Sequence, residues 1–168
     1  RATAASHDRL FIVEVMGRSA GFIALEVVIC GGAEEILVPE TKVTLENLGN
    51  LIKTWAIAGK TSSLIVVAEG DELGNAHEIA AKLYQQYHTI CHVCVLGHIQ
   101  RGGSPTATDR LLASRLGYHA VKALEDGKSD VMVGWINNSV TFIPLPESWE
   151  KKKPLDEELI KIYRILST

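Results

Sequence analysis

The sequence predicts an α/β fold of three layers, a mostly parallel sheet with helices on both faces. Three observations lead there. Short apolar runs alternate with longer stretches whose apolar residues recur at helical spacing. Glycines stand where those longer stretches should stop. The run LIVVA at residues 64–68 is apolar without a break, the mark of a strand covered on both sides.

Residues 10–16, LFIVEVM, read as the first strand, and Gly17-Arg18-Ser19 turns the chain into an apolar helix over residues 20–30. Gly31-Gly32 ends that helix. A second strand, EILVP, covers residues 35–39. Residues 44–58 place Leu45, Leu48, Ile52 and Trp55 on one helical face, with Gly59 as the stop. The third strand, 64–68, is followed by a helix over 75–87, where Ile79 and Leu83 lie one turn apart. Residues 93–96 make a fourth strand. The longest helix is expected over 106–126, with Leu112, Leu116 and Ala120 on one stripe and Gly127 as its stop. Thr106 and Asp109 have the spacing of a capping box at its start. Residues 131–136 read as one more strand, 137–155 as a loop, and 156–165 as a short amphipathic helix.

Composition narrows the class. With 168 residues the chain is about one domain long, enough for a real core. A net charge of −3 and a pI of about 6.1 give no electrostatic footprint for nucleic acid. No apolar run approaches the roughly 20 residues of a membrane span, and the opening RATAASHDR lacks the apolar stretch of a signal peptide. No starting methionine is present, so a piece of a longer chain is expected; its expected location is the cytoplasm. Three cysteines, an odd number, point to a reducing compartment rather than a disulfide framework. His88, Cys91, His92 and Cys94 fall close together. One short strand would have to supply all four ligands, and alternation sends Cys91 and His92 to opposite faces. Buried strand thiols, and no metal, are therefore expected.

In open parallel sheets, ligands sit beyond the carboxyl ends of the strands. Those ends are Gly17-Arg18, Glu40, Glu69-Gly70-Asp71, and the cluster His98, Gln100 and Arg101. Guanidinium groups match phosphate with a bidentate fork, and a carboxylate beside an imidazole matches sugar hydroxyls. Gly17, Gly70, Gly102 and Gly103 would let backbone approach a ligand closely. Taken singly, each side chain has an ordinary structural role, Glu40 as a surface residue and Glu69 as a helix-start charge. Their shared position makes them a site for a phosphorylated polyol.

At these residues the sequence resembles a known family. VEVMGRSAGFIAL (residues 13–25) and LGHIQRGGSPTATDRLLASRLG (residues 96–117) closely resemble the two fructose-6-phosphate-binding motifs of the 6-phosphofructokinases. VVAEG (residues 66–70) resembles the segment that carries their substrate-binding glutamate. The likeness runs from residue 1 to about 138 and implies the C-terminal half of the enzyme, a Rossmann-like domain. It implies a fructose-6-phosphate-binding α/β domain over residues 1–100. Residues 101–145 would be a helix and strand that pack on the nucleotide-binding half, and 146–168 a tail and helix.

The resemblance also implies roles. Met16, Gly17 and Arg18 match the turn that touches the sugar phosphate, with Arg18 also stabilising charge on the transferred phosphoryl group. Glu69 matches the residue that holds the sugar hydroxyls, and His98 and Arg101 the pair that contacts the sugar and its 6-phosphate. Arg9 matches an arginine that reaches into a neighbouring subunit's site, implying a homo-oligomer, typically a tetramer. His92 stands where the family carries a second such arginine. Arg1, Glu34 and Lys60 match the effector pocket of the bacterial enzymes, where Ala58 and Thr61 replace basic positions. Magnesium and the phosphoryl donor would bind mainly to the N-terminal half, which also supplies the catalytic aspartate, so the chain alone is expected to be inactive. Ser19-Ala20-Gly21-Phe22 is similar to branches near the diphosphate-dependent enzymes and leaves the donor open between ATP and diphosphate. The alternatives to an ATP-dependent glycolytic kinase making fructose 1,6-bisphosphate are thus a diphosphate-dependent one and a sugar-phosphate-sensing module.

Overall fold

The computed structural model describes residues 9–167. Four strands, β1 (Leu10–Val15), β2 (Glu35–Leu37), β3 (Ser63–Ala68) and β4 (Cys91–Val95), form one sheet in the order β2-β3-β1-β4. Every pair in it is parallel, with Ile12 level with Ile65 on one side and Val93 on the other. Six α-helices accompany them: α1 (Phe22–Gly31), α2 (Leu45–Ile57), α3 (Ala76–Tyr87), α4 (Ala107–Glu125), α5 (Glu147–Glu150) and α6 (Glu157–Leu166). A 3-10 turn spans Gly97–Gln100. Two further strands, β5 (Val131–Ile136) and β6 (Ser139–Pro144), form an antiparallel hairpin.

The chain divides into two compact units. One holds the parallel sheet with α1, α2, α3 and, rejoining at Leu155, α6; the other is Gly102–Pro154.

In the first unit the period of two along β3 builds two cores. Val66 and Ala68 join Ala24, Leu25 and Val28 of α1 and Tyr163 of α6. Ile65 and Val67 join Leu48 and Trp55 of α2 and Ile79 and Leu83 of α3. All four strand residues are buried, which is why LIVVA carries no polar position. The helix ends follow local chemistry. Thr44 caps α2 by accepting from the Asn47 N–H at 3.1 Å, and Asn75 with Glu78 closes a capping box on α3. The expected Thr106–Asp109 box is present on α4. Gly32, at φ +62°, stops α1. Tyr163 ties α6 to the sheet, its hydroxyl donating to Glu35 Oε1 at 2.8 Å and to the Glu34 carbonyl at 3.3 Å. Burial, and then the Glu35 carboxylate, raise the tyrosine's pKa far beyond its ordinary value, so it stays a donor.

In the second unit, α4 lies against the hairpin with Arg115 over the Trp135 ring at 4.8 Å, and Lys128 lies over Phe142 at 3.8 Å. Little of the helix is covered. Ala123 is its one buried residue among those described, while Leu111, Tyr118, Val121 and Leu124 are each more than half exposed. In the expected stripe, Leu116 and Ala120 are half-buried and Leu112 is exposed.

Two expectations need correcting. Residues 137–155 are not a loop, because they contain β6 and α5. Asn137 and Asn138 take φ of +50° and +59°, the two left-handed positions of a tight hairpin turn, and asparagine tolerates both. The second concerns the thiols. Cys94 is exposed, Cys30 on α1 is exposed, and only Cys91 is half-buried, its thiol pushed up to about 11 by burial. β4 is an edge strand, and the core under α1 and α6 takes Val13 and Val15 from β1 but nothing from β4.

After β3 the chain turns through Asp71, whose buried carboxylate accepts the Leu73 N–H at 2.9 Å. Burial, and to a lesser degree the neighbouring Glu72, raise its pKa against the opposing pull of the Leu73 bond. Because the folded value lies above the unfolded one, the native state binds this proton more tightly and the group's contribution to stability falls as pH rises through that range. Asp71→Asn keeps an acceptor for Leu73 and removes the buried charge. It is expected to be more stable than the parent at pH 7, with the advantage fading as pH falls through the raised carboxyl range. Urea unfolding of both proteins between pH 7 and 4 measures this, and parallel curves would refute it. Tyr163→Phe strips Glu35 of its hydroxyl donor and should cost about 1–3 kcal/mol in the same assay at pH 7.

Candidate functional site

Because all four strands of the first unit are parallel, the segments that follow them leave from one edge. Arg18 follows β1, Glu40 follows β2, Glu69 and Asp71 follow β3, and the turn carrying His98 and Gln100 follows β4 with Arg101 at its end. Backbone bonds lock the edges together: Glu69 N–H donates to the Val15 carbonyl at 2.8 Å and Leu96 N–H to that of Glu14 at 3.1 Å.

The segment from Met16 to Gly21 is the most constrained part of this rim. Arg18 takes φ +50°, a left-handed conformation that costs a non-glycine residue energy. The Ala20 N–H closes a turn onto the Gly17 carbonyl at 3.0 Å. Gly17 must lack a side chain there, since a Cβ would fall 2.4 Å from the Ala20 oxygen. Gly70 brings the β3 loop under Arg18, because its own Cβ would fall 2.4 Å from the Arg18 carbonyl oxygen. These glycines serve loop-to-loop approach. Gly102 and Gly103, by contrast, have open space around them and positive φ.

Arg18, His98 and Arg101 are exposed, Met16, Gly17 and Glu69 half-buried. The rim therefore offers guanidinium and imidazole groups to solvent above a fixed backbone, beside the Glu69 loop. Such an arrangement suits a small anion carrying hydroxyl groups.

Two contacts here escaped the sequence reading. The Met16 N–H donates to Gln100 Oε1 at 2.8 Å, across 84 residues of chain. The Gly21 N–H donates to both oxygens of Glu40, at 2.9 and 3.1 Å. Glu40 thereby acts as the missing cap of α1, whose Ncap residue is a glycine with no side chain. An uncapped helix start with an acid at the neighbouring strand end was the signal available.

Other expected site residues lie elsewhere. Arg9 precedes β1, and His92, level with Phe11, is near the amino end of β4, so both are at the opposite edge of the sheet. The His92 ring stacks on Phe11 at 5.2 Å between centroids. Glu34 is buried, accepting the Leu64 N–H at 2.6 Å and facing Lys60 at 3.5 Å. Arg1 lies outside the described residues. A largely apolar cavity of about 670 Å³ runs along the β2 edge between α1, α2 and α6, with the Glu34–Lys60 pair in its lining. The polar residues that follow the strand ends, Arg18, Glu69, His98 and Arg101, lie at the rim instead, and the rim is the candidate site. Among the described residues no group of three or more His, Cys, Asp or Glu could hold a metal ion, and no helix is long and apolar enough to cross a membrane.

Comparison with known proteins gives the family of the chain and its fold. A family model described as Phosphofructokinase matches residues 1–124. The chain is 48% identical over 167 residues to "ATP-dependent 6-phosphofructokinase 1" of Thermus thermophilus, an alignment covering 99% of this chain and 52% of that protein. It is 45% identical to "ATP-dependent 6-phosphofructokinase" of Clostridioides difficile, with the same two shares. Its fold matches the solved structure of phosphofructokinase from Saccharomyces cerevisiae with a TM-score of 0.75 at 32% identity, covering 89% of this chain and 21% of that one. The chain spans about half the length of the curated relatives it matches. With a family model over most of its length, relatives of this identity and a shared parallel sheet, the chain belongs to the phosphofructokinase family.

Proposed function

We propose that this chain is the sugar-binding half of an ATP-dependent 6-phosphofructokinase, which phosphorylates fructose 6-phosphate to fructose 1,6-bisphosphate in glycolysis. The observation that carries the reading is the close approach of the Arg18 and Glu69-Gly70 loops, which brings the backbone that bears the guanidinium against the loop that bears the carboxylate at the strand ends. In this reading Met16, Gly17 and Arg18 cradle the sugar phosphate, Glu69 accepts the sugar hydroxyls, and His98 and Arg101 complete the anion site. Arg18 also neutralises charge that spreads over the phosphoryl group in transfer, the kind of contact that acts most strongly in the transition state.

The cradle for the donor's phosphates, the magnesium and the carboxylate that positions the attacking hydroxyl belong, in this reading, to the half of the enzyme outside this chain. ATP is favoured over diphosphate by the names of the similar proteins. Arg9 and His92 sit at the sheet edge away from their own rim, which supports their use in a neighbouring subunit's site of a homotetramer. The exposed apolar residues of α4 fit the role of a face that packs on the nucleotide half. The whole is assigned to the cytoplasm. Glu34 and Lys60, paired with each other, leave the effector role resting on the family resemblance alone.

The test is steady-state kinetics of the complete enzyme. Arg18→Ala should lower kcat by about 100-fold or more, as expected for a lost transition-state contact. Glu69→Ala should act chiefly by raising KM for fructose 6-phosphate, since the hydroxyls are bound throughout. The reverse pattern would overturn the assigned roles, and turnover with diphosphate but not ATP would change the donor.

A further inference from the structure

We propose that Glu40 is a positioning residue for Arg18, holding it through the Gly21 amide while Gln100 holds the other end of the same loop. The inference rests on the role given to Arg18 above. Five described non-glycine residues have positive φ: Arg18, His88, Asp130, Asn137 and Asn138. Asn, Asp and His are enriched in that conformation, whereas arginine gains nothing from it. Something else must keep Arg18 there.

The six residues from Met16 to Gly21 are fixed at both ends by side chains from distant strand ends. At the entry, Met16 N–H donates to Gln100 Oε1 at 2.8 Å. At the exit, Gly21 N–H donates to Glu40 Oε1 at 2.9 Å and Oε2 at 3.1 Å. Between them the Gly17–Ala20 turn leaves little slack, and Gly70 sits against the Arg18 carbonyl. If Arg18 relaxed to a right-handed φ, the chain direction on one side of it would swing and one of the two amides would have to leave its acceptor. Gly21 itself is confined, since a Cβ there would lie 2.5 Å from Val38 Cγ1 and 2.9 Å from Glu40 Oε2.

Glu40 is exposed and belongs to neither hydrophobic core, so its removal bears on the loop rather than on the packing of the domain. It reaches the reaction only through Arg18, and its anionic oxygens are engaged by an amide rather than aimed at a ligand.

In the complete enzyme, Glu40→Ala is expected to lower kcat by roughly 10- to 100-fold, the loss typical of a displaced catalytic group, with KM for fructose 6-phosphate changed by less than about threefold. Glu40→Gln keeps an oxygen for the Gly21 N–H and should recover most of the rate. Glu40→Asp, one methylene shorter, should fall between the two. With Arg18 already replaced by alanine, adding Glu40→Ala should cost nothing further. The loop can be read without activity as well: in the 168-residue chain, Glu40→Ala should speed amide exchange at Gly21, and Glu40→Gln should not. Equal rates for Glu40→Ala and Glu40→Gln, or a full additional loss in the Arg18→Ala background, would overturn the proposal. So would unchanged exchange at Gly21 in the alanine variant. A complete enzyme that exchanges as expected but never phosphorylates fructose 6-phosphate would leave the pinning of the loop upheld and overturn the functional reading instead.

Discussion

The rim depends on one arrangement, β1 lying between β3 and β4 with all three strands running the same way. Parallel pairing forces each connection to cross back over a face of the sheet, so strand ends that share an edge come from chain segments far apart in sequence. The register then decides how closely they meet. Val15 and Ala68 are partners at the carboxyl end of β1 and β3, and the residues just beyond them, Met16 and Glu69, begin the two loops that touch. Apolar pressure supplies the force: β3 is buried on both faces, and slipping it by one residue would exchange Ile65 and Val67 with Val66 and Ala68 between two differently shaped cores. The candidate site is thus set by burial beneath the rim, between the sheet and its helices.

That origin has an electrostatic consequence. The start of a helix facing a strand end is a natural place for an anion. Here the carboxylate of Glu40 already faces the Gly21 amide at the start of α1. In the proposed reading, a phosphate arriving at this rim would meet side chains instead, the guanidiniums of Arg18 and Arg101 beside the His98 imidazole. Side chains can follow a group as it moves or changes charge, whereas a helix end cannot, and the proposed transfer of a phosphoryl group would gain from the former.

The sequence made the sheet and its helices legible because their signals are local. Apolar period, capping spacing and stop glycines each act within a few residues, and Thr106–Asp109 and Gly32 carry them out as expected. The rim was legible for the same reason, since strand ends follow from strands. The hairpin of β5 and β6 was not. Its turn is Asn137-Asn138, a pair that only declares itself once both flanking runs are recognised as strands, and the prolines at 144 and 146 gave the region of β6 the composition of a loop. The thiols misled because a strand's apolar sequence does not say whether it is central or at an edge. Cys94 is apolar enough for a core and sits on a strand with one neighbour.

Glu40 and Gln100 show a different limit. Sequence patterns point to side chains by what they offer to solvent or to a core, and both residues were read as polar groups awaiting a ligand or water. Their partners are backbone amides, which every residue carries and no pattern marks. The way to find such contacts is to ask, for each helix start and strand exit, where its N–H groups go. α2, α3, α4 and α6 answer from their own sequence, with Thr44, Asn75, Thr106 and Asp156. α1 cannot, since a glycine occupies its Ncap position, and that glycine is required by the nearness of Val38. A helix that gives up its own cap to fit against a neighbouring strand must take one from that strand's end. Glu40, two residues past Val38, is placed to give it.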